Sequence, residues 1–232
     1  MKIFKSIIII AALALTASAG ISSATNIKFE VAPHFFGAEN IKRSKIEDLQ
    51  ISHIPGVKKN TIDKINLTLK NNIMNLKKSV TDCSIMAKPH PWSFRFKFEK
   101  ITVSDDYINV IFEKFTVCTG SPDIEKVAYI FSKKGEVVPP AKAARDLFGK
   151  TRIPRPALHN DQLKLDEDTT KKMIEDSKRL LGAYDEECYR YLNNISYKFW
   201  TEGDLVFLFP EFVQPASSCQ KEYVIEISTY LK

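Results

Sequence analysis

The residues of this chain whose types could do chemistry are four histidines, four cysteines and two runs of acids, and their spacing narrows what they can do. His34, His53, His90 and His159 stand singly. No His-Glu-x-x-His pair sets two ligands on one helix face, so no metal site is expected from them. Cys83, Cys118, Cys188 and Cys219 include no Cys-x-x-Cys pair, the tight turn from which structural zinc sites draw two ligands. An even number of such cysteines points to two disulfides. A Gly-x-Ser-x-Gly nucleophile elbow and a glycine-rich phosphate loop are both missing from the sequence. Asp166-Glu167-Asp168 and Asp185-Glu186-Glu187 could in principle pair carboxylates for acid and base work. Both runs lie on or beside a helix whose opposite face is apolar, which makes them a solvated surface. The expectation is therefore no enzyme, no cofactor and no metal.

Two features say where the chain works. Lys2 and Lys5 precede an apolar run from Ile7 to Leu15, then Ala17-Ser18-Ala19. This is the three-part layout of an export signal, with a second possible cut after Ala24. The run is shorter than the roughly 20 residues that cross a bilayer. Residues 1–24 are thus expected to be a signal peptide, and the mature protein to be periplasmic or secreted, with no membrane span after cleavage. Residues 25–160 hold 23 Lys and Arg against 14 acids, a net +9, whereas residues 161–232 hold 9 against 14, a net −5. Such a dipolar chain argues less clearly for an anionic polymer than a uniformly basic surface would, and nucleic acid is not expected.

Periodicity then places the elements. Loose alternation over 26–54 suits strands, and Pro55-Gly56 turns the chain. Ile62, Ile65, Leu69, Ile73, Leu76 and Val80 repeat at helical steps and predict an amphipathic helix over 60–80, capped by Asn60 or Thr61, with Lys77 and Lys78 in its last turn. Phe94, Phe96 and Phe98, then Ile108, Val110 and Phe112, predict two strands around an Asp105-Asp106 turn, with a bulge near Glu99 where the alternation slips. Val127 to Ser132 adds a third strand and makes a meander. Residues 149–165 read as an irregular connection. A second long helix over 167–195 starts from Asp166 to Asp168 and turns Cys188 toward the core. Strands at 205–209 and 223–227 close the chain. The fold class is α+β: antiparallel sheets, two long amphipathic helices and two disulfides. The division is 1–24, then 25–118 and 119–232 as two halves of one unit.

The order of these pieces resembles an exported module shared by the anti-sigma-V factor and a peptidoglycan N-acetylglucosamine deacetylase. The residues that carry the resemblance are Ile54-Pro55-Gly56 followed by the helix with Ile65-Asn66, Tyr129 to Val137 through Lys133-Lys134-Gly135, and Gly203 to Phe209, Pro210 and Tyr223 to Ile227. Where that family often has Gly-Gly-Ala-His-Pro, this chain has Cys118-Thr119-Gly120-Ser121-Pro122, so a role tied to the histidine is not implied. The resemblance implies an accessory module standing alone: a non-catalytic binding protein of the cell envelope for a lysozyme-like hydrolase or peptidoglycan. An inhibitor of a secreted toxin and an envelope hydrolase are the alternatives. Because lysozyme is basic, an acidic face of Glu175, Asp176, Asp185, Glu186 and Glu187 is the candidate for binding it. Strand register sets Cys118 near Ser93, predicting Cys83 with Cys118 and Cys188 with Cys219.

Overall fold

Strand alternation builds a first sheet in the order β1-β2-β3-β4-β5, from β1 (Lys28–His34), β2 (Ser44–His53), β3 (Ser93–Val103), β4 (Tyr107–Val117) and β5 (Pro122–Ser132). The computed structural model describes residues 26–36, 43–151, 157–159, 162–182, 186–193, 195–211 and 217–230. The expected signal segment therefore lies outside the described residues. Neighbouring strands are antiparallel except β2 and β3, which run parallel where Ser44, Lys45 and Ile46 meet Phe94, Arg95 and Phe96. A parallel pair needs a crossover. Helix α1 (Lys59–Met86) supplies it. β5, which begins after residue 118, belongs to this sheet.

One face of the sheet is covered by α1. Ile62, Ile65, Leu69, Ile73 and Val80 meet Phe94, Phe96, Ile108, Val110 and Phe112, all buried. Each aliphatic side chain so buried contributes about 1.5–3 kcal/mol. The helix is longer than the predicted 60–80. It starts at Lys59 with Lys58 at the cap position and no side-chain cap bond, and the apolar stripe continues through buried Cys83, so Lys77 and Lys78 are interior rather than in the last turn. Gly135, in the turn after β5, lies against the start of α1. Its φ is +79°, and a Cβ there would stand 2.7 Å from the Thr61 carbonyl. The bulge falls at Glu99, where pairing steps from Phe98 with Phe112 to Lys100 with Ile111. The extra residue turns Lys100 to the face opposite Phe98.

A second sheet has the order β10-β9-β8-β7-β6, from β6 (Ala157–His159), β7 (Gln162–Lys164), β8 (Ser196–Glu202), β9 (Leu205–Glu211) and β10 (Tyr223–Glu226). It packs on the first sheet through Ile111, Trp200, Phe207, Phe209 and Val224. Polar groups here are tied across the sheets: the Asn109 amide donates to the Thr201 carbonyl at 2.9 Å and to its hydroxyl at 3.1 Å. The far face of the second sheet carries Tyr197, Leu208, Tyr223 and Ile225 against Ala143, Phe148, Met173 and Leu192 of α2 (Pro140–Phe148), α3 (Glu167–Leu181) and α4 (Tyr189–Leu192).

Two expectations are corrected in this part, and one element is added. The helix predicted over 167–195 stops at Leu181, because Gly182 adopts φ +68°, the left-handed conformation that ends helices. A 3-10 turn at Glu186–Cys188 and α4 follow. The stretch 149–165 is not wholly irregular, since β6 and β7 pair within it. Helix α2 was not predicted, although Pro140 at its first position and three alanines favour one. The disulfides are the expected ones, Cys83 to Cys118 and Cys188 to Cys219.

Candidate functional site

Parallel register sets Lys45 of β2 directly beside Arg95 of β3, and antiparallel register sets Arg95 beside Phe115 of β4. Residues directly opposite each other share a face. The result is a row across three strands at one end of the first sheet, and Ile124 of β5 extends it opposite Phe115. Arg43 lies one step before β2, where its carbonyl accepts from the Phe94 amide at 2.9 Å. Trp92, partly buried against the first core, and Ser93 close the side. Arg43, Lys45, Trp92, Ser93 and Arg95 line a cleft of about 240 Å³. The Arg95 guanidinium stands 4.0 Å from the centre of the Phe115 ring, close enough for a cation–π contact. Lys97 is two residues along the same face of β3 and is exposed.

Several cations along β3, β4, β5 and β8 are held in ion pairs. Lys100 lies 3.8 Å from Glu202 and 3.6 Å from Glu222; Lys126 contacts Glu99 and lies 3.2 Å from Glu113; Lys114 lies 3.0 Å from Glu125; Lys198 lies 3.1 Å from Glu211. Arg43, Lys45, Arg95 and Lys97 have no ion-pair partner among the described residues. A second cleft of about 240 Å³, with Asp123, Glu125, Phe209, Glu211 and Gln220 in its walls, has two of its carboxylates engaged by Lys198. Its charge is largely answered within the fold.

The acidic residues singled out from the sequence scatter. Glu175 is exposed on α3. Asp176 is only 4% exposed. Its carboxylate accepts from the Glu226 amide at 3.0 Å and from Arg179 at 2.7 Å, so it ties α3 to β10. Glu187 is exposed and has an interaction of its own. Asp185 and the Glu186 side chain lie outside the described residues. Lys171, Lys172, Lys178 and Arg179 are interleaved on the same helix, and Lys171 lies 2.9 Å from Glu167. That surface is mixed in charge.

The histidines are not brought together. His34 lies 4.0 Å from Asp48 and edge-on to Phe36, while His53 and His90 are exposed on separate elements. The His159 side chain lies outside the described residues. Among the described residues no group of three His, Cys, Asp or Glu could hold a metal ion, and no helix is long and apolar enough to cross a membrane. Burial raises the Tyr197 phenol, and two further tyrosines are shifted. Burial first, then nearby Glu125, pushes the Tyr129 phenol up to about 12. Burial, then the hydrogen bond donated to Asp146 at 3.1 Å, raises Tyr107. Both stay protonated at neutral pH. The loop Thr119 to Ser121 is exposed and joins β4 to β5.

The basic cleft was not picked out from the sequence. Its signal was present as alternate cations on strands, Arg43 and Lys45, then Arg95 and Lys97, but the parallel pairing that unites them was not foreseen.

No family model matches the chain, and no curated protein does. A crystal structure of a member of the DUF3298 family from Bacteroides fragilis is similar to it, with 11% sequence identity over 91% of this chain and 96% of that one and a TM-score of 0.41.

Proposed function

We propose that this chain is an exported, non-catalytic binding module of the cell envelope, and that peptidoglycan suits it better than a lysozyme-like hydrolase. The observation that carries the choice is the cleft end of the first sheet, where Arg43, Lys45, Arg95 and Lys97 have no carboxylate partner among the described residues. Unneutralised cations attract an anionic polymer and repel a basic protein, and like-charge juxtaposition costs several kcal/mol at an interface. Two disulfides support the export reading, because such bonds persist in oxidising compartments. The signal-like start and the resemblance to the module of the anti-sigma-V factor and the deacetylase support it too. The alternative docking side, α3, has Asp176 buried in structural hydrogen bonds and lysines among its acids.

Co-sedimentation of the mature protein with purified peptidoglycan sacculi is the test, run beside calorimetry with lysozyme. Binding to sacculi that weakens several-fold from low to high salt, with no sugar or acetate released, is the expected result. Tight, salt-insensitive binding of lysozyme with none to sacculi would overturn the choice of partner, and turnover of the wall would overturn the non-catalytic reading.

A further inference from the structure

We infer that the cleft between the starts of β2 and β3 is a subsite for one acidic sugar, carboxylated or phosphorylated, of an envelope glycan, and that Arg95 selects the acid group. This rests on the reading of the chain as an envelope-binding module and names what one site in it would recognise.

Three observations lead there. Lys45 and Arg95 are directly opposite in register, an arrangement of like charges that weakens a sheet, and Arg43 in the same cleft adds to the repulsion. The same sheet pairs Lys100, Lys114 and Lys126 with carboxylates, so it has the means to neutralise a cation and does not do so here. An anion in the cleft removes that cost. Second, the Phe115 ring covers one face of the Arg95 guanidinium at 4.0 Å. A guanidinium held by its face keeps the N–H edges that bind a carboxylate or phosphate in two parallel hydrogen bonds. Third, Trp92 lines the same cleft as the cations. An indole offers an apolar surface to the C–H face of a sugar ring, which a bare phosphate or carboxylate does not need. Size fixes the scale: about 240 Å³ is below the roughly 300 Å³ at which pockets enclose a drug-sized molecule. The cleft therefore holds one unit of a chain, and the row from Phe115 to exposed Ile124 gives the rest a path across the strands.

Binding is read from tryptophan fluorescence, since Trp92 borders the cleft and Trp200 is fully buried. The probes are oligogalacturonate, a phosphorylated mannan oligosaccharide, neutral dextran and inorganic polyphosphate. Saturable binding of either acidic saccharide is expected, and which one binds identifies the acid group. Dextran should not bind, and polyphosphate should bind at least tenfold more weakly. Arg95→Gln should lower affinity tenfold or more, Arg95→Lys should fail to restore it, and Lys45→Gln should lower it less. Lys178→Gln, on α3, should change nothing. Equal binding of polyphosphate and acidic saccharide, no saccharide binding, or an unaffected Arg95→Gln protein with unchanged circular dichroism would overturn the inference. Sacculi bound equally by Arg95→Gln and the unaltered protein would sink this subsite and leave the envelope-binding reading intact. Sacculi not bound by the unaltered protein would sink that reading itself.

Discussion

Helices α1 and α3 do the same job on their two sheets with opposite means. α1 has 28 residues and no side-chain cap, no acid in its first turn and no base in its last. α3 has 15 residues; Asp166 caps it by accepting from the Thr169 amide at 2.7 Å, Glu167 and Asp168 stand in the first turn, Lys178 and Arg179 in the last, and Gly182 ends it. Yet each helix reaches out with a polar side chain to satisfy the backbone of a strand. Asn66 accepts from the Ile51 amide at 2.9 Å and donates to its carbonyl at 2.8 Å. Ser177 accepts from the Val224 amide at 2.8 Å, beside Asp176 on Glu226. The difference teaches which forces define a helix. α1 is specified by the core face it buries, and α3 by its ends.

The largest break expected is at the disulfides. They close loops of similar length, with sequence separations of 35 and 31, so the chain-entropy cost of losing either is about 4 kcal/mol. Replacing Cys83 and Cys118 together by Ser, or Cys188 and Cys219, should lower stability by about that amount in urea unfolding. Amide exchange should separate the two. Without the Cys83 bond, α1 beyond Val80 should exchange faster, because neither a basic side chain in the last turn nor a left-handed glycine closes that end. Without Cys188, α3 should stay protected. Equal protection of both helix ends would break the comparison.

The strand-edge hydrogen bonds come next. Ile51 is fully buried, so Asn66→Leu leaves both a donor and an acceptor there without a partner, at about 1–3 kcal/mol each. Ser177→Ala also strands Val224, but Asp176 still holds the next register position. A loss of about 2–4 kcal/mol for Asn66→Leu against about 1–2 kcal/mol for Ser177→Ala is expected. Urea midpoints with unchanged slope would check it, and the reverse order would show that α3 rather than α1 depends on its sheet.

The same contrast explains how much could be read from the sequence. The core face of α1 was legible because Ile62, Ile65, Leu69 and Ile73 are spaced for one side of a helix. Its ends were not, because the signals that mark ends are missing from it. α3 was the reverse: its start follows from Asp166, but the apolar line through Leu181 and Cys188 outweighs Gly182 in the sequence and extends the predicted helix to 195. The bulge at Glu99 and the Cys83 to Cys118 pairing were legible because strand parity and register are local arithmetic, and Cys188 with Cys219 followed as the remaining pair. The binding cleft was not. It depends on β2 and β3 lying parallel across a 28-residue crossover helix, and nothing in either strand states which neighbour it will take. Asp176 failed as a surface candidate for a related reason: its helical position was legible, but the edge strand that buries it comes 50 residues later.

The smallest effect is at the helix starts, and it tests the comparison most directly because it swaps the means. Lys58 already has φ −69° and ψ 149°, the extended conformation a capping residue adopts, and it is exposed. What it lacks is a short side-chain acceptor. Lys58→Asp supplies one, and replaces a positive charge at the positive end of the helix dipole by a negative one. A gain of about 0.5–1 kcal/mol is expected. Asp166→Ala removes the bond to Thr169 and should cost about 1 kcal/mol. Because α3 rests on its ends, that loss should also appear as faster amide exchange through its first turn. The gain at Lys58 should slow exchange only at the start of α1 and leave the residues over the Phe94 and Phe96 core unchanged. Exchange slowing along the whole of α1 would mean that the uncapped start, not the buried face, sets the stability of that helix.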